Sequence, residues 1–393
     1  MKVKGIHHIS AISGHAQENV DFYSGVLSLK MAIKTVNFDQ YNIYHLYYTN
    51  QNYELGSALT YFPWKKSYKE GIVGSGQVVS SILSIPKGSK KFWMQRLNQF
   101  RIPFDIIKRF NEERVSFKDR HGLSLELVET NLEKSSEFEF NGVTKDAQIQ
   151  GIYGALLQSY DYKATYEFFT EVLRLDYEQE DGLNIRLSLD SEIGKYIELS
   201  KLSIGEGKDG KGTYHHIAFI VDEDLEIWRD YLLDHGLEVT EVKDRNFFKS
   251  IYMREPGGIM VELASRGEKL TPQSLNPELY IPEKFKKYEN SIHQALYPVF
   301  VNEISYLNDY SYENLEEYKI YEAHQNLLSE INRLAKKSKE EGLTQEETIY
   351  RDKLRRQYIE NITKTIAANL ENVQVEDQNN NFVKLERKKK DNS

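Results

Sequence analysis

The chain has no cysteine, which excludes disulfides and thiolate metal ligands alike. It has no apolar run near the ~18 residues that suggest a membrane span, and Met1-Lys2-Val3-Lys4 opens no signal-peptide pattern. The expectation is a cytoplasmic protein that does not enter a membrane. An excess of positive charge is also lacking. The 51 Lys and Arg residues stand against 60 Asp and Glu, and a net charge of −9 argues against nucleic acid as a partner. What remains is an ordinary globular composition, 40% hydrophobic and 28% charged. At 393 residues the chain is expected to hold two or three domains. Tyrosine is the one abundance, with 27 residues against 18 Phe and 3 Trp. Most of these are expected to be half-buried packing, with some available to line a polar-aromatic pocket.

Two short apolar strands open with paired histidines. Ile6-His7-His8-Ile9-Ser10 lies near the N-terminus, and Gly212-Thr-Tyr-His215-His216-Ile-Ala-Phe-Ile-Val221 lies past the middle. A third segment, Glu255-Pro-Gly-Gly-Ile-Met-Val-Glu262-Leu263, is a Pro-Gly turn followed by a strand with one carboxylate among apolar residues. Imidazoles and carboxylates on buried strands need partners, because an unpaired buried charge is costly. A shared metal ion is one such partner. Two His-His strands and one Glu strand make a 2-His-1-carboxylate set, the ligand type of non-haem iron centres. Side chains alternate faces along a strand, so only one His of each pair can face a common cavity.

A repeated unit of roughly 55–70 residues runs through the first two-thirds of the chain, each reading strand, helix, then several strands. The units open at Ile6–Ile12, Val78–Ile85, Ile152–Gln158 and His215–Val221. Helices are expected near Glu18–Leu27, Lys90–Phe100, Tyr162–Leu173 and Leu225–His235. Three closing strands read apolar-x-Glu-Leu, which places Glu126, Glu198 and Glu262 at matching positions. The fold expected is α+β: four βαβββ modules forming two curved-sheet barrels, followed by a C-terminal α-helical hairpin. Residues 1–135 hold modules one and two, and 146–300 hold modules three and four. A connector at 301–324 leads to the hairpin with its basic tail at 325–393.

The βαβββ repeat, the His-His opening strands and the Pro-Gly-Gly-x-x-x-Glu closing strand resemble the vicinal oxygen chelate superfamily of glyoxalases, bleomycin resistance proteins and extradiol dioxygenases. Within it, Val36-Asn-Phe-Asp-Gln-Tyr-Asn-Ile-Tyr-His-Leu-Tyr-Tyr48, with Phe62-Pro63-Trp64, resembles the ring-cleaving dioxygenases that act on hydroquinones. The likeness covers about residues 4–300 and includes Leu275-Asn-Pro-Glu-Leu-Tyr-Ile-Pro-Glu283. It implies an Fe(II) centre, with Mn(II) as the alternative ion, held by His8, His216 and Glu262. It also implies that Tyr252 and Arg245 stand beside the metal as catalytic groups. His7 and His215 would face away or sit at the rim, His7 as a further catalytic group. The implied reaction is extradiol-type opening of a hydroquinone or catechol ring, so a small aromatic substrate and O2 are the partners expected. A metal would hold both reactants and lower the pKa of the bound phenol, helped by a nearby hydrogen-bond donor and proton carrier. His45 is another inward-facing candidate, expected to be a core histidine satisfied by its neighbours.

Ligand arithmetic bears on which modules share a barrel. Pairing neighbours would leave His8 with Glu126 alone and His216 with Glu198 and Glu262. Pairing the first module with the fourth brings His8, His216 and Glu262 together, and leaves the second and third as a barrel without histidine on its opening strands. That barrel is expected to be metal-free and structural. Consecutive elements are adjacent roughly two-thirds of the time, so the expected pairing runs against the default.

Past Val299 the text changes. Leu327–Gly342 reads as a helix stopped by glycine. Thr344-Gln-Glu-Glu347 is a capping box for a second helix through Tyr350, Leu354, Tyr358 and Ile362. This hairpin, with Lys384–Lys390 at its end, resembles a family of small bacterial helical proteins that carries over no activity. Rival functions on the same scaffold are a glyoxalase-like lyase or a thiol-transfer resistance enzyme. A rival of another class is a non-catalytic aromatic-binding protein. Glyoxalases generally draw a fourth ligand from the remaining closing strand. That place falls near Thr60-Tyr61-Phe62, which has no carboxylate. A homo-oligomer is compatible with the chain.

Overall fold

The structure, a computed structural model, describes residues 1–64, 68–267, 274–310, 315–371, 374–376 and 382–384. The chain divides into two units, Met1–Tyr310 and Ser311–Ser393.

The first unit contains four βαβββ modules. The first comprises β1 (Ile6–Ser13), α1 (Ala16–Val20, continued by a π-helical turn at Asp21–Val26), β2 (Lys30–Val36), β3 (Tyr44–Thr49) and β4 (Ala58–Pro63). The second comprises β5 (Gln77–Pro86), α2 (Lys90–Gln99), β6 (Phe104–Arg109), β7 (Glu112–Lys118) and β8 (Ser124–Thr130). The third comprises β9 (Gly151–Gln158), α3 (Tyr162–Glu167, continued by a π-helical turn at Phe168–Val172), β10 (Asp176–Asp181), β11 (Asn184–Ser188) and β12 (Tyr196–Ser200). The fourth comprises β13 (Thr213–Val221), α4 (Leu225–Asp234), β14 (Lys243–Asp244), β15 (Lys249–Arg254) and β16 (Met260–Ser265). Local chemistry starts the helices. Asp161 and Asp224 accept backbone N–H bonds at the N-termini of α3 and α4. Leu225, Trp228 and Leu232 then bury one face of α4.

The modules pair as the ligand arithmetic requires. One sheet runs β14-β15-β16-β13-β1-β4-β3-β2, extended at the β2 edge by β17 (Leu279–Tyr280), and so joins modules one and four. The other runs β10-β11-β12-β9-β5-β8-β7-β6 and joins modules two and three. Both sheets curl into half-barrels. In each, the opening strands meet antiparallel, β1 against β13 and β5 against β9, while each pairs in parallel with its own closing strand. A helix, α5 (Glu289–Ala295), follows β17.

The sheet of modules two and three encloses ion pairs. Arg114 bridges Glu126 at 2.9 Å and Glu198 at 2.7 Å, Arg109 bonds Glu198 at 2.6 Å, and Arg186 bonds Glu198 and Glu112, each at 2.8 Å. Register explains the difference from the other sheet. Ser80 stands two residues before Ile82, the partner of Glu126, just as His216 stands two before Ala218, the partner of Glu262. Arg186 pairs with Glu198 where Tyr252 pairs with Glu262. Serine and glycine thus take the histidine positions here, as Ser80 and Gly154, and Arg186 takes the place that carries tyrosine in the other sheet.

Residues 300–310 belong to the first unit. Phe300 exchanges hydrogen bonds with the Gln17 side chain, Asn141 Oδ1 accepts from Ile304 N–H, and Tyr310 Oη donates to Asp21 Oδ2 at 2.6 Å. In the second unit, α6 (Leu315–Glu340) begins within the stretch expected as connector, where Glu316, Glu317, Lys319, Glu322 and Ala323 are strong helix formers. The turn to α7 (Gln345–Glu371) is as expected. Gly342 has φ +82°, and Thr344 and Glu347 bond each other's backbone N–H at 3.1 and 3.0 Å. Leu327, Leu334 and Leu354 form this unit's own small core. The expected basic end lies, beyond Lys384, outside the described residues. A chain ending at Tyr310 is expected to keep the thermal unfolding midpoint of the first unit. Failure of that truncated chain to fold would show that the two units depend on each other.

Candidate active site

β1 and β13 run side by side at the centre of their sheet, both buried almost throughout. Their antiparallel register pairs His8 with Ala218 and Ser10 with His216, so the two second histidines stand one step apart on neighbouring strands. Glu262 enters from β16, which pairs Ala218 with Glu262. The turn before it is tightly built. Gly258 has φ +95°, and a Cβ on Gly257 would fall 1.9 Å from Ser159 Oγ. The Glu255 carboxylate closes the turn by accepting from the N–H groups of Gly257 and Ile259, each at 2.8 Å.

His8, His216 and Glu262 converge. His8 Nε2 lies 3.1 Å from His216 Nε2 and 3.3 Å from Glu262 Oε2, and His216 Nε2 lies 2.8 Å from the same oxygen. All three residues are buried, and they form a group able to hold a metal ion. Glu262 Oε2 has no hydrogen bond of acceptable geometry. Burial works to raise the Glu262 carboxyl, but the proximity of His8 and His216 outweighs it and holds it well below its usual value. Burial also lowers His216 to about 4, leaving a neutral imidazole near neutral pH. Two nitrogens and a carboxylate oxygen so close and so buried suit a shared cation.

The preceding histidines turn back on their neighbours. His7 Nδ1 lies 2.8 Å from His8 Nδ1, and His215 Nδ1 lies 2.8 Å from His216 Nδ1. A register shift between Ile6 and His8 accompanies the contact on β1. His7 also packs on Phe248 and lines, with His8, a cavity whose lining includes neither Arg245 nor Tyr252. Burial lowers it to about 3, so it is neutral. His215 lines the same cavity as His216.

Tyr252 and Arg245 stand beside the triad. Tyr252 Oη donates to Glu262 Oε1 at 2.9 Å and accepts from Arg245 Nε at 3.0 Å. Burial and the Glu262 charge push the Tyr252 hydroxyl well above its usual value, which keeps it a donor. These groups bound a cavity of about 160 Å³, walled by Phe38, Phe62, Trp64 and Phe248. Cavities of about 150 Å³ are large enough to take up benzene, so one substituted ring fits.

His45 is satisfied, as expected, by Thr60 at 3.0 Å and Tyr47 at 3.1 Å. Yet it also lines the cavity, as does Tyr47, which was not singled out in the sequence. Their spacing carried a signal. His45 stands two residues before Tyr47, as Ser250 stands two before Tyr252, on the same strand of pseudo-equivalent modules.

A family model for the Glyoxalase/Bleomycin resistance protein/Dioxygenase superfamily matches residues 152–263. A second model, for bacterial proteins of unknown function (DUF896), matches residues 326–389. A protein of Bacillus subtilis named as a ring-cleaving dioxygenase, MhqO, is 40% identical over 309 residues, covering 77% of this chain and 99% of its own. The chlorohydroquinone/hydroquinone 1,2-dioxygenase of Sphingobium indicum is 27% identical over 275 residues, covering 66% of this chain and 85% of its own. A crystal structure of a Bacillus subtilis protein titled as a dioxygenase superposes with a TM-score of 0.74 at 39% identity, covering 77% of this chain and 99% of that one. Shared modules, shared length over the first unit and this level of identity make the chain a member of the glyoxalase/bleomycin resistance protein/dioxygenase superfamily, alongside relatives named as ring-cleaving dioxygenases.

Proposed function

We propose that this protein is an Fe(II)-dependent, extradiol-type dioxygenase that opens the ring of a hydroquinone or catechol with O2, with Mn(II) as the alternative ion. The observation that carries this is the convergence of His8, His216 and Glu262, two of which, His8 and His216, line a cavity sized for one ring. The relative named for hydroquinone supports the substrate class. The metal ligands would be His8 Nε2, His216 Nε2 and Glu262 Oε2, and the ion would acidify a ring hydroxyl and hold ring and O2 together.

The chain's own groups do the rest. Tyr252 fixes the carboxylate by donating to Oε1, which leaves Oε2 facing the histidines. Arg245 fixes Tyr252 and places a cation in the cavity wall, where it stabilises negative charge on the ring oxygen. His7 and His215 bond the Nδ1 atoms of His8 and His216, which leaves each Nε2 free as a donor atom. Phe38, Phe62, Trp64 and Phe248 give the ring apolar walls to pack against. Thr60, not a carboxylate, occupies the place where a fourth protein ligand would enter, which favours an open centre over a glyoxalase-type one.

Protein purified without oxygen and loaded with Fe(II) is expected to bind stoichiometric metal and to consume O2 when a quinol is added. A metal-free protein that binds quinols without consuming O2 would reveal a binding protein instead. Tyr252→Phe is expected to retain the metal yet slow turnover about 10²–10⁴-fold, the usual range for a lost proton-handling group. An unchanged rate would reduce Tyr252 to packing.

A further inference from the structure

The two halves of the site are related by strand register. Ala218 pairs with Glu262 between β13 and β16, and Ser10 pairs with Thr60 between β1 and β4. Across the next ladder, Tyr252 pairs with Glu262 and Tyr47 with Thr60. His216 and His8 each stand two residues before the first member of these pairs. Thr60 therefore holds the place of Glu262, and Tyr47 holds the place of Tyr252. The likeness extends one step further. Ser250 Oγ donates to Tyr252 Oη at 3.2 Å, and His45 Nδ1, two residues before Tyr47, lies 3.1 Å from Tyr47 Oη.

The two tyrosines differ in what they are tied to. Tyr252 spends its proton on the Glu262 carboxylate. Thr60 is shorter than Glu262, and the His45 ring spans the gap that results. His45 Nε2 lies 3.0 Å from Thr60 Oγ1, which lies 2.6 Å from Ser10 Oγ. The chain Ser10–Thr60–His45–Tyr47 thus ends at Tyr47, which lines the cavity together with His8. Burial keeps His45 neutral and Tyr47 protonated. A phenol has one donor and two acceptor positions, so the bond to His45 leaves Tyr47 with capacity for a ligand.

The geometry points to Tyr47 as the residue that binds the ring hydroxyl left off the metal centre, with His45 and Thr60 as positioning residues that aim it. This rests on the ring-cleaving function proposed above and adds a specificity element to it. A ring with a methyl group in place of that hydroxyl leaves Tyr47 unpaired in a buried wall, which a site built to hydrogen-bond its substrate rejects.

The test is calorimetric titration of the Fe(II)-loaded protein without oxygen, using hydroquinone and 4-methylphenol, whose methyl group is close in size to the missing hydroxyl. The wild type is expected to prefer hydroquinone about tenfold, the worth of one hydrogen bond in a buried site. Tyr47→Phe and Thr60→Val are expected to bring that ratio close to one while metal content stays full, and Thr60→Ser to restore it. In turnover, Tyr47→Phe is expected to raise KM for hydroquinone more than it lowers kcat. A purely structural role would weaken both ligands alike and preserve the ratio, and that result, or an unchanged ratio in Tyr47→Phe, would overturn the assignment. A wild type that takes up no metal, or consumes no O2 with quinols, would instead sink the dioxygenase function on which the assignment rests.

Discussion

Alanine at His8, His216 or Glu262 is expected to abolish both stoichiometric metal binding and ring cleavage, with the fold retained. The three atoms proposed as ligands lie within 3.3 Å of one another, so each removal would leave a two-point site. Glu262→Ala should be the most severe, since it removes the one anionic donor and leaves two imidazoles to hold a dication. It also strips Tyr252 of its acceptor and so loosens the Tyr252–Arg245 pair. Metal analysis beside circular dichroism separates a lost ligand from a lost fold. A His8→Ala protein with full metal and full turnover would show that the N-terminal strand supplies no ligand.

Arg114→Met is expected to cost the first unit about 3–5 kcal/mol, the usual penalty for removing one partner of a buried ion pair. Arg114 is fully buried and contacts Glu112, Glu126 and Glu198, so its loss strands carboxylates in the core of the second sheet. Burial by itself raises the Glu198 carboxyl, but hydrogen bonds and charge from Arg114, with Arg109 and Arg186, outweigh it and hold it at about 2 against an ordinary 4.5. A carboxyl lowered by folding adds stability above its unfolded value, and that contribution is lost as pH falls through the folded one. The wild-type urea midpoint should therefore drop as pH is taken from about 4.5 towards 2. In Arg114→Met the Glu198 charge is less well compensated, so the deficit should shrink on acidification as the carboxyls take up protons. A deficit that is small at neutral pH and independent of pH would show that the ion pairs contribute little.

Much of this molecule was legible in the chain. Period-two strands, amphipathic helices and Pro-Gly turns are local patterns, and their recurrence marked four modules. The hairpin around Gly342 and Thr344 was equally local, since caps and C-terminal glycines act within a few residues. The paired histidines and Glu262 were visible because a strand leaves few reasons to bury three such groups. Even the pairing of first module with fourth followed, since it alone assembles His8, His216 and Glu262.

What only the tertiary structure decided lies in contacts between residues far apart in sequence. Arg109 and Arg114 reach Glu198 from another module, and nothing local to any of them announces that three guanidinium groups will meet the carboxylates there. The direction of His7, back to His8 Nδ1, depends on a register irregularity in β1 that strand alternation does not foresee. His45 was expected as an inward-facing, satisfied core residue and is both, but its partners, Thr60 across the sheet and Tyr47, are set by strand register. Sequence determines which groups must be buried and paired. Register between strands from opposite ends of the chain determines with whom, because one residue of slip would turn every side chain to the other face.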